Sequence, residues 1–157
     1  MIYWDSSALV ALIVQQPSSD PVRAIYARDS QVLAWTASEI EILSALCRLH
    51  RERALDDAGF SAATARLENL WDSIDAVSAI GAVKLRARRV LRTHELRAAA
   101  ALQLGAALLA ASDDPVRWTF VCLDQRLADA ARREGFTVLP DRVESPTATP
   151  PLSGTRT

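Results

Sequence analysis

Several residue types are scarce in this sequence, and each shortage excludes something. There are two cysteines, Cys47 and Cys122, 75 positions apart in apolar runs with no C-x-x-C pair. They read as buried thiols of a reducing, cytoplasmic compartment, not as a disulfide framework or zinc site. The two histidines, His50 and His94, have no partner at metal-ligand spacing. Lysine occurs once, at Lys84; the other 17 of the 18 basic residues are arginine. Against 19 acids the net charge is −1, so the basic excess of a general nucleic-acid binder is missing. Long apolar runs are missing too. The longest, Ala98–Ala111, is mostly alanine and is interrupted by Gln103. A membrane span needs roughly 18 strongly apolar residues, so this segment reads as a buried helix. The N-terminus carries no basic leader, and Ala8–Val14 is too short for a signal core.

What remains is 157 residues, 50% apolar, with 28 alanines. That is one domain's length with enough apolar content for a core. Residues 1–141 read as the domain. Residues 142–157, rich in Pro, Ser and Thr, have little to bury and read as a disordered tail.

The pattern along the chain alternates strands with helices. Ile2–Trp4, Gln31–Trp35, Trp118–Leu123 and Phe136–Leu139 are strand-like, and Val77–Ile80 is a weaker candidate. Helices are expected over Ala8–Val14, Pro21–Arg28, Thr36 or Ser38 to Arg53, Ser61–Ile74, Val83–Arg92, Leu96–Ala111 and Asp124–Glu134. Gly135 ends the last of these. Crossovers of this kind predict an α/β fold, a mostly parallel sheet covered on both faces.

Two segments share one design. Asp5 and Asp124 each follow a strand and precede a helix, so both belong at the carboxyl edge of the sheet, where ligands bind. Each alone is equally a helix N-cap. If Ser6 or Ser7 caps the first helix instead, Asp5 is free. Glu41 is the third candidate. Ser38 and Glu41 fit a capping box, but Thr36 and Glu39 fit one as well, and in that case Glu41 is free. It then shares a helix face with Ser44, Ala45 and Arg48. Two unit charges 4 Å apart repel by about 4 kcal/mol at an effective dielectric of 20. Converging acids therefore call for a cation. An all-carboxylate set suits Mg²⁺ or Mn²⁺, which can activate water and stabilise charge on a phosphodiester.

Four segments carry a resemblance. They are Ile2-Tyr3-Trp4-Asp5-Ser6-Ser7-Ala8-Leu9, the run from Thr36 to Leu46 around Glu41, Leu96-Arg97-Ala98-Ala99-Ala100-Ala101-Leu102-Gln103-Leu104, and Phe120 to Gly135 around Asp124. In this order and spacing the chain resembles the PIN-domain nucleases, specifically the VapC toxins of bacterial type II toxin–antitoxin modules. The resemblance implies an α/β/α sandwich and a Mg²⁺- or Mn²⁺-dependent endoribonuclease acting on RNA. It also implies a homodimer and inhibition by a VapB-like antitoxin. By position, Asp5, Glu41 and Asp124 match three of the family's four acids, and Ser6 or Ser7 its usual hydroxyl. The fourth is missing: Ala100 stands where the metal-binding Asp is expected. A substitution made to disarm the nuclease, a naturally degenerate member, or a site completed by another acid would each account for it. The first fits best, because the rest of the site looks intact. Glu95, Asp113 and Asp114 lie at helix ends and are poor replacements.

From Lys84 to Arg97 there are six basic residues and one acid, Glu95. This run leads into the segment carrying position 100. Arg97 is the best candidate for an RNA phosphate, followed by Arg126, then Arg92 and Arg89. The four tryptophans, Trp4, Trp35, Trp71 and Trp118, fall in strand-like or amphipathic positions and are assigned to the core.

Overall fold

The computed structural model describes residues 1–141. The expected tail, 142–157, lies outside the described residues. The elements run β1 (Ile2–Trp4), α1 (Ser6–Ile13), α2 (Ser19–Arg28), β2 (Leu33–Trp35), α3 (Ser38–Arg51), α4 (Asp57–Trp71), β3 (Asp75–Val77), α5 (Ile80–Thr93), α6 (Ala98–Ala110), β4 (Thr119–Val121), α7 (Gln125–Glu134) and β5 (Thr137–Leu139). A 3-10 turn, Pro115–Arg117, precedes β4 in what the sequence suggested was plain loop.

All five strands are parallel, in the order β3-β2-β1-β4-β5. Strand side chains alternate between faces, and the core divides accordingly. Tyr3, Trp35, Phe120 and Val138 join α5, α6 and α7 in one cluster. Trp4, Ala34 and Val121 join α1, α2, α3 and α4 in another. The fold is thus an α/β/α sandwich, as the alternating pattern predicted. The chain steps outward from β1 to β2 and β3 with helices on one face. It then returns to β4 and β5 with helices on the other. The strand order reverses between β1 and β4, and at the carboxyl end of such a switch point the two loops diverge and leave a crevice. Among the described residues no helix is long and apolar enough to cross a membrane.

Alanine and glycine set how closely α6 approaches its neighbours. A Cβ on Gly105 would lie 2.9 Å from the Val83 carbonyl oxygen and 3.0 Å from the Ala87 nitrogen, so α5 and α6 touch there backbone to backbone. Gly135 ends α7 in the left-handed conformation, φ 104°, which costs glycine nothing.

Several boundaries differ from expectation. β3 is Asp75–Val77, and Ile80 already belongs to α5. Asp75 and Ala76 are exposed on this edge strand, so it carries almost no apolar signal. Helix α4 starts at Asp57, not at Ser61; Asp56 caps it, its carboxylate accepting from the Gly59 amide. Neither Thr36 nor Ser38 caps α3, whose N-cap position is Ala37 with no side-chain bond. Cys122 is buried but Cys47 only partly so, and both are free thiols. Trp4, Trp35 and Trp118 are core residues; Trp71 is half-buried.

Candidate active site

Asp5 leaves the end of β1 in extended conformation, and its amide donates to the Val121 carbonyl of β4 at 2.9 Å. This bond holds Asp5 at the switch point. Its side chain is the N-cap of α1: Oδ2 accepts from the Ser7 amide at 3.0 Å and also from the Ser7 hydroxyl. The serines therefore do not displace Asp5 from the cap. Ser7 Oγ in turn accepts from the Leu123 amide at 2.9 Å, linking α1 to the chain just past β4. Cys122 Sγ lies 3.6 Å from the same Asp5 oxygen. Burial pushes the Cys122 thiol well up, with Asp5 adding to it, so the group is an uncharged weak donor.

Asp5 is only 3% exposed. Burial raises its carboxyl from 3.8 to about 6; hydrogen bonds from Ser7 oppose this, and the charge of Glu41 adds to it. The two acids are electrostatic neighbours although 36 positions apart.

Glu41 sits in the first turn of α3, partly buried. It takes no part in a capping box. Its Oε2 accepts from the Ser6 hydroxyl at 2.7 Å and from Gln103 Nε2 at 2.8 Å. Gln103, 1% exposed on α6, is the residue that sequence reasoning missed. Tyr3 OH donates to its Oε1 at 2.8 Å, and its Nε2 also donates to Ser38 Oγ at 2.8 Å. With Tyr3 on the acceptor side, the amide nitrogen must face Ser38 and Glu41. Burial and the nearby Asp5 charge hold the Tyr3 hydroxyl well above its usual range, so it stays a donor. Its only sequence signal is a lone polar residue inside the alanine-rich run.

Asp124 is exposed at the start of α7 and is likewise an N-cap, Oδ1 accepting from the Leu127 amide at 2.9 Å. So each of the three acids anchors through one oxygen, and its other oxygen makes no hydrogen bond among the described residues. Ser6, Ser7, Glu41 and Asp124 line one cleft of about 410 Å³, together with Val10, Gln16, Ser18, Ala45, Arg48 and Leu123.

The donors are carboxylate and hydroxyl oxygens, which match Mg²⁺ or Mn²⁺ in kind. In number they fall short. Among the described residues, no three acidic, histidine or cysteine side chains come close enough to hold a metal ion. Ala100 stands one turn before Gln103 on α6, at the i, i+3 spacing that puts both on one helix face. Since Gln103 touches Glu41, a carboxylate at position 100 would join the same neighbourhood.

The expected RNA-binding arginines are scattered. Arg97 is the exposed N-cap residue of α6, Arg126 is exposed in the first turn of α7, and Arg92 is exposed near the end of α5. Arg89 is engaged: both its terminal nitrogens donate to Glu134, at 3.1 and 2.7 Å. His94 Nε2 meets the same carboxylate at 2.7 Å. The Glu134 carboxyl sits below its ordinary value; burial would raise it, but the bonds from Arg89 and His94 outweigh that. None of these four arginines lines the cleft.

No protein-family profile matches the chain. Two curated Mycobacterium tuberculosis proteins do: Ribonuclease VapC45 and Ribonuclease VapC49. Each is 28% identical over 144 residues, covering 92% of this chain and 98% of the relative. The chain is a distant homologue of the VapC ribonucleases, which are PIN-domain toxins. The homology spans both halves of the sandwich. The likeness is therefore to the domain as a whole, not to a single motif.

Proposed function

We propose that the chain is an endoribonuclease of the VapC toxin type, dependent on Mg²⁺ or Mn²⁺, whose metal site is one carboxylate short at Ala100. The PIN domain would span 1–141. One observation carries this: Asp5 and Glu41 are held as electrostatic neighbours by Ser7, Ser6 and Gln103, with position 100 one turn from Gln103. Caps alone do not need this arrangement, since Glu41 caps nothing.

With an aspartate at position 100 to complete the set, Asp5, Glu41 and Asp124 would hold the ion, which would supply a polarised water and offset charge on the phosphodiester. The chain's own groups do the positioning. Ser7 and the Leu123 amide fix Asp5 against β4. Ser6 and Gln103 fix Glu41 between α1 and α6. A VapB-like antitoxin, a homodimer and a cytoplasmic setting go with this assignment. Ala100 also favours a second reading, a PIN-fold protein that binds RNA or an antitoxin without cutting.

RNA cleavage by the chain and by Ala100→Asp, with Mn²⁺ and with EDTA, tests the proposal. The expected result is little or no cleavage by the chain and Mn²⁺-dependent cleavage by Ala100→Asp. Equal cleavage by both would remove the significance of position 100. No cleavage by either would favour the binding-only reading.

A further inference from the structure

Among the described residues, one cationic side chain lines the cleft, that of Arg48. Arg48 lies on α3 two turns beyond Glu41, about 10 Å along the helix at 1.5 Å per residue. Ala45 lies between them on the same face, and its small side chain leaves the floor of the cleft open. Arg48 is exposed and makes no ion pair or side-chain hydrogen bond among the described residues. It is not neutralising Glu41 or Asp124, although both line the same cleft. Arg86, Arg89 and Arg132, by contrast, are paired with Asp113, Glu134 and Asp129.

Across the cleft stands the connection between α1 and α2. Its Gln16 and Ser18 also line the space. Ser18 occupies the N-cap position of α2 without making the side-chain bond that serine usually makes there. The Gln16 backbone is tied down by Ser19, while its side-chain amide has no partner among the described residues. Three polar side chains from two elements thus line one open cleft without side-chain hydrogen bonds among the described residues. A guanidinium with two neutral donors beside it suits a phosphate flanked by a sugar.

We propose that Arg48, with Gln16 and Ser18, forms a subsite for the phosphate of a single-stranded RNA, next to the phosphodiester presented to the acids. This deepens the nuclease assignment and rests on it for the strand's direction past Asp5 and Glu41. It moves the main phosphate contact from the Lys84–Arg97 run to α3.

Binding of a short fluorescein-labelled single-stranded RNA in EDTA, followed by anisotropy at several salt concentrations, tests it without cleavage. Arg48→Ala should weaken binding about tenfold, the lower range for a charged hydrogen bond. It should also flatten the dependence of log K on log salt by about 0.7, the value of one phosphate contact on a single strand. Arg48→Lys should keep the salt slope and lose only part of the affinity. Arg133→Ala, the same charge change in the last turn of α7 at the far end from Asp124, should leave both unchanged. Three results would overturn the proposal: unaltered affinity and slope in Arg48→Ala, an equal loss in Arg133→Ala, or no RNA binding by the full chain. The cleavage assay with Ala100→Asp can fail while this binding persists, and the reverse, so the two claims are separable.

Discussion

Replacing Asp5 by asparagine should make the metal-free protein more stable at neutral pH. Asp5 is 3% exposed, and its carboxyl is raised from 3.8 to about 6, chiefly by burial. The folded state therefore holds the proton more tightly than the unfolded chain does. The stability this gives is fully present below about pH 4 and is lost as the pH rises through about 6. A shift of this size corresponds to about 3 kcal/mol. Asparagine keeps the cap, because its side-chain oxygen can accept from the Ser7 amide and hydroxyl as Oδ2 does now. It removes the charge that Glu41 opposes. The assay is urea unfolding in EDTA at pH values from 4 to 8, with the chain and Asp5→Asn compared at each. Other carboxylates titrate over the same range, but they cancel in the difference. The difference should be near zero at pH 4, grow through pH 6, and level off at about 3 kcal/mol in favour of the variant. For a domain of this size that is a rise of roughly 5–10 °C in Tm. A pH-independent difference, or a variant less stable at pH 8 than the chain, would refute the assignment of Asp5 as a desolvated carboxylate.

Three further outcomes are expected. Ala100→Asp should lower stability in EDTA by about 1 kcal/mol through repulsion near Glu41, and Mn²⁺ should raise its stability by about 2.7 kcal/mol at a hundred times the dissociation constant; thermal scans with and without Mn²⁺ check this. Gln103→Leu strips the partner from Tyr3 OH and Ser38 Oγ and leaves Glu41 Oε2 only its bond from Ser6. At about 1–3 kcal/mol for each buried group left unsatisfied, a loss of about 2 kcal/mol is the expected minimum, measured by urea unfolding. Gly105→Ala forces its methyl against the Val83 carbonyl and the Ala87 amide. It should cost about 1–3 kcal/mol, seen as a lowered urea midpoint.

Residues that announce themselves locally were legible in the sequence. Asp5 and Asp124 each sit between an apolar triplet and a helix, and that placement alone put them at the sheet's carboxyl edge. Gly135 ended α7 where its left-handed φ requires. What the sequence hid depends on contacts between distant positions. Glu41 looked like half of a capping box because Ser38 stands three residues before it. The fold instead buries Ser38 and turns its hydroxyl to Gln103, 65 positions away. Arg89 belonged to an apparently free basic run, but Glu134, 45 residues on, takes its guanidinium. Arg48 was visible on the Glu41 face, but not the cleft beside it, which the α1–α2 connection helps to enclose. β3 escaped because an edge strand reading Asp75-Ala76-Val77 has almost nothing to bury.

Helix capping by itself does not account for an aspartate at position 5. Asparagine caps equally well and would avoid the cost of about 3 kcal/mol that the buried charge imposes at neutral pH. The same holds for Glu41, which caps nothing yet is gripped by Ser6 and Gln103 from two other helices. Three hydrogen-bonding side chains that fix two mutually repelling carboxylates are what the proposed cation would require. On the proposed nuclease assignment, the residue that leaves the site one carboxylate short is Ala100. It does not disturb the grip on Asp5 or Glu41, because Ser6, Ser7 and Gln103 do the holding and none of them depends on position 100. An aspartate placed there should therefore leave the held positions of Asp5 and Glu41 unchanged, and Mn²⁺ binding gained on that one change is the expected outcome.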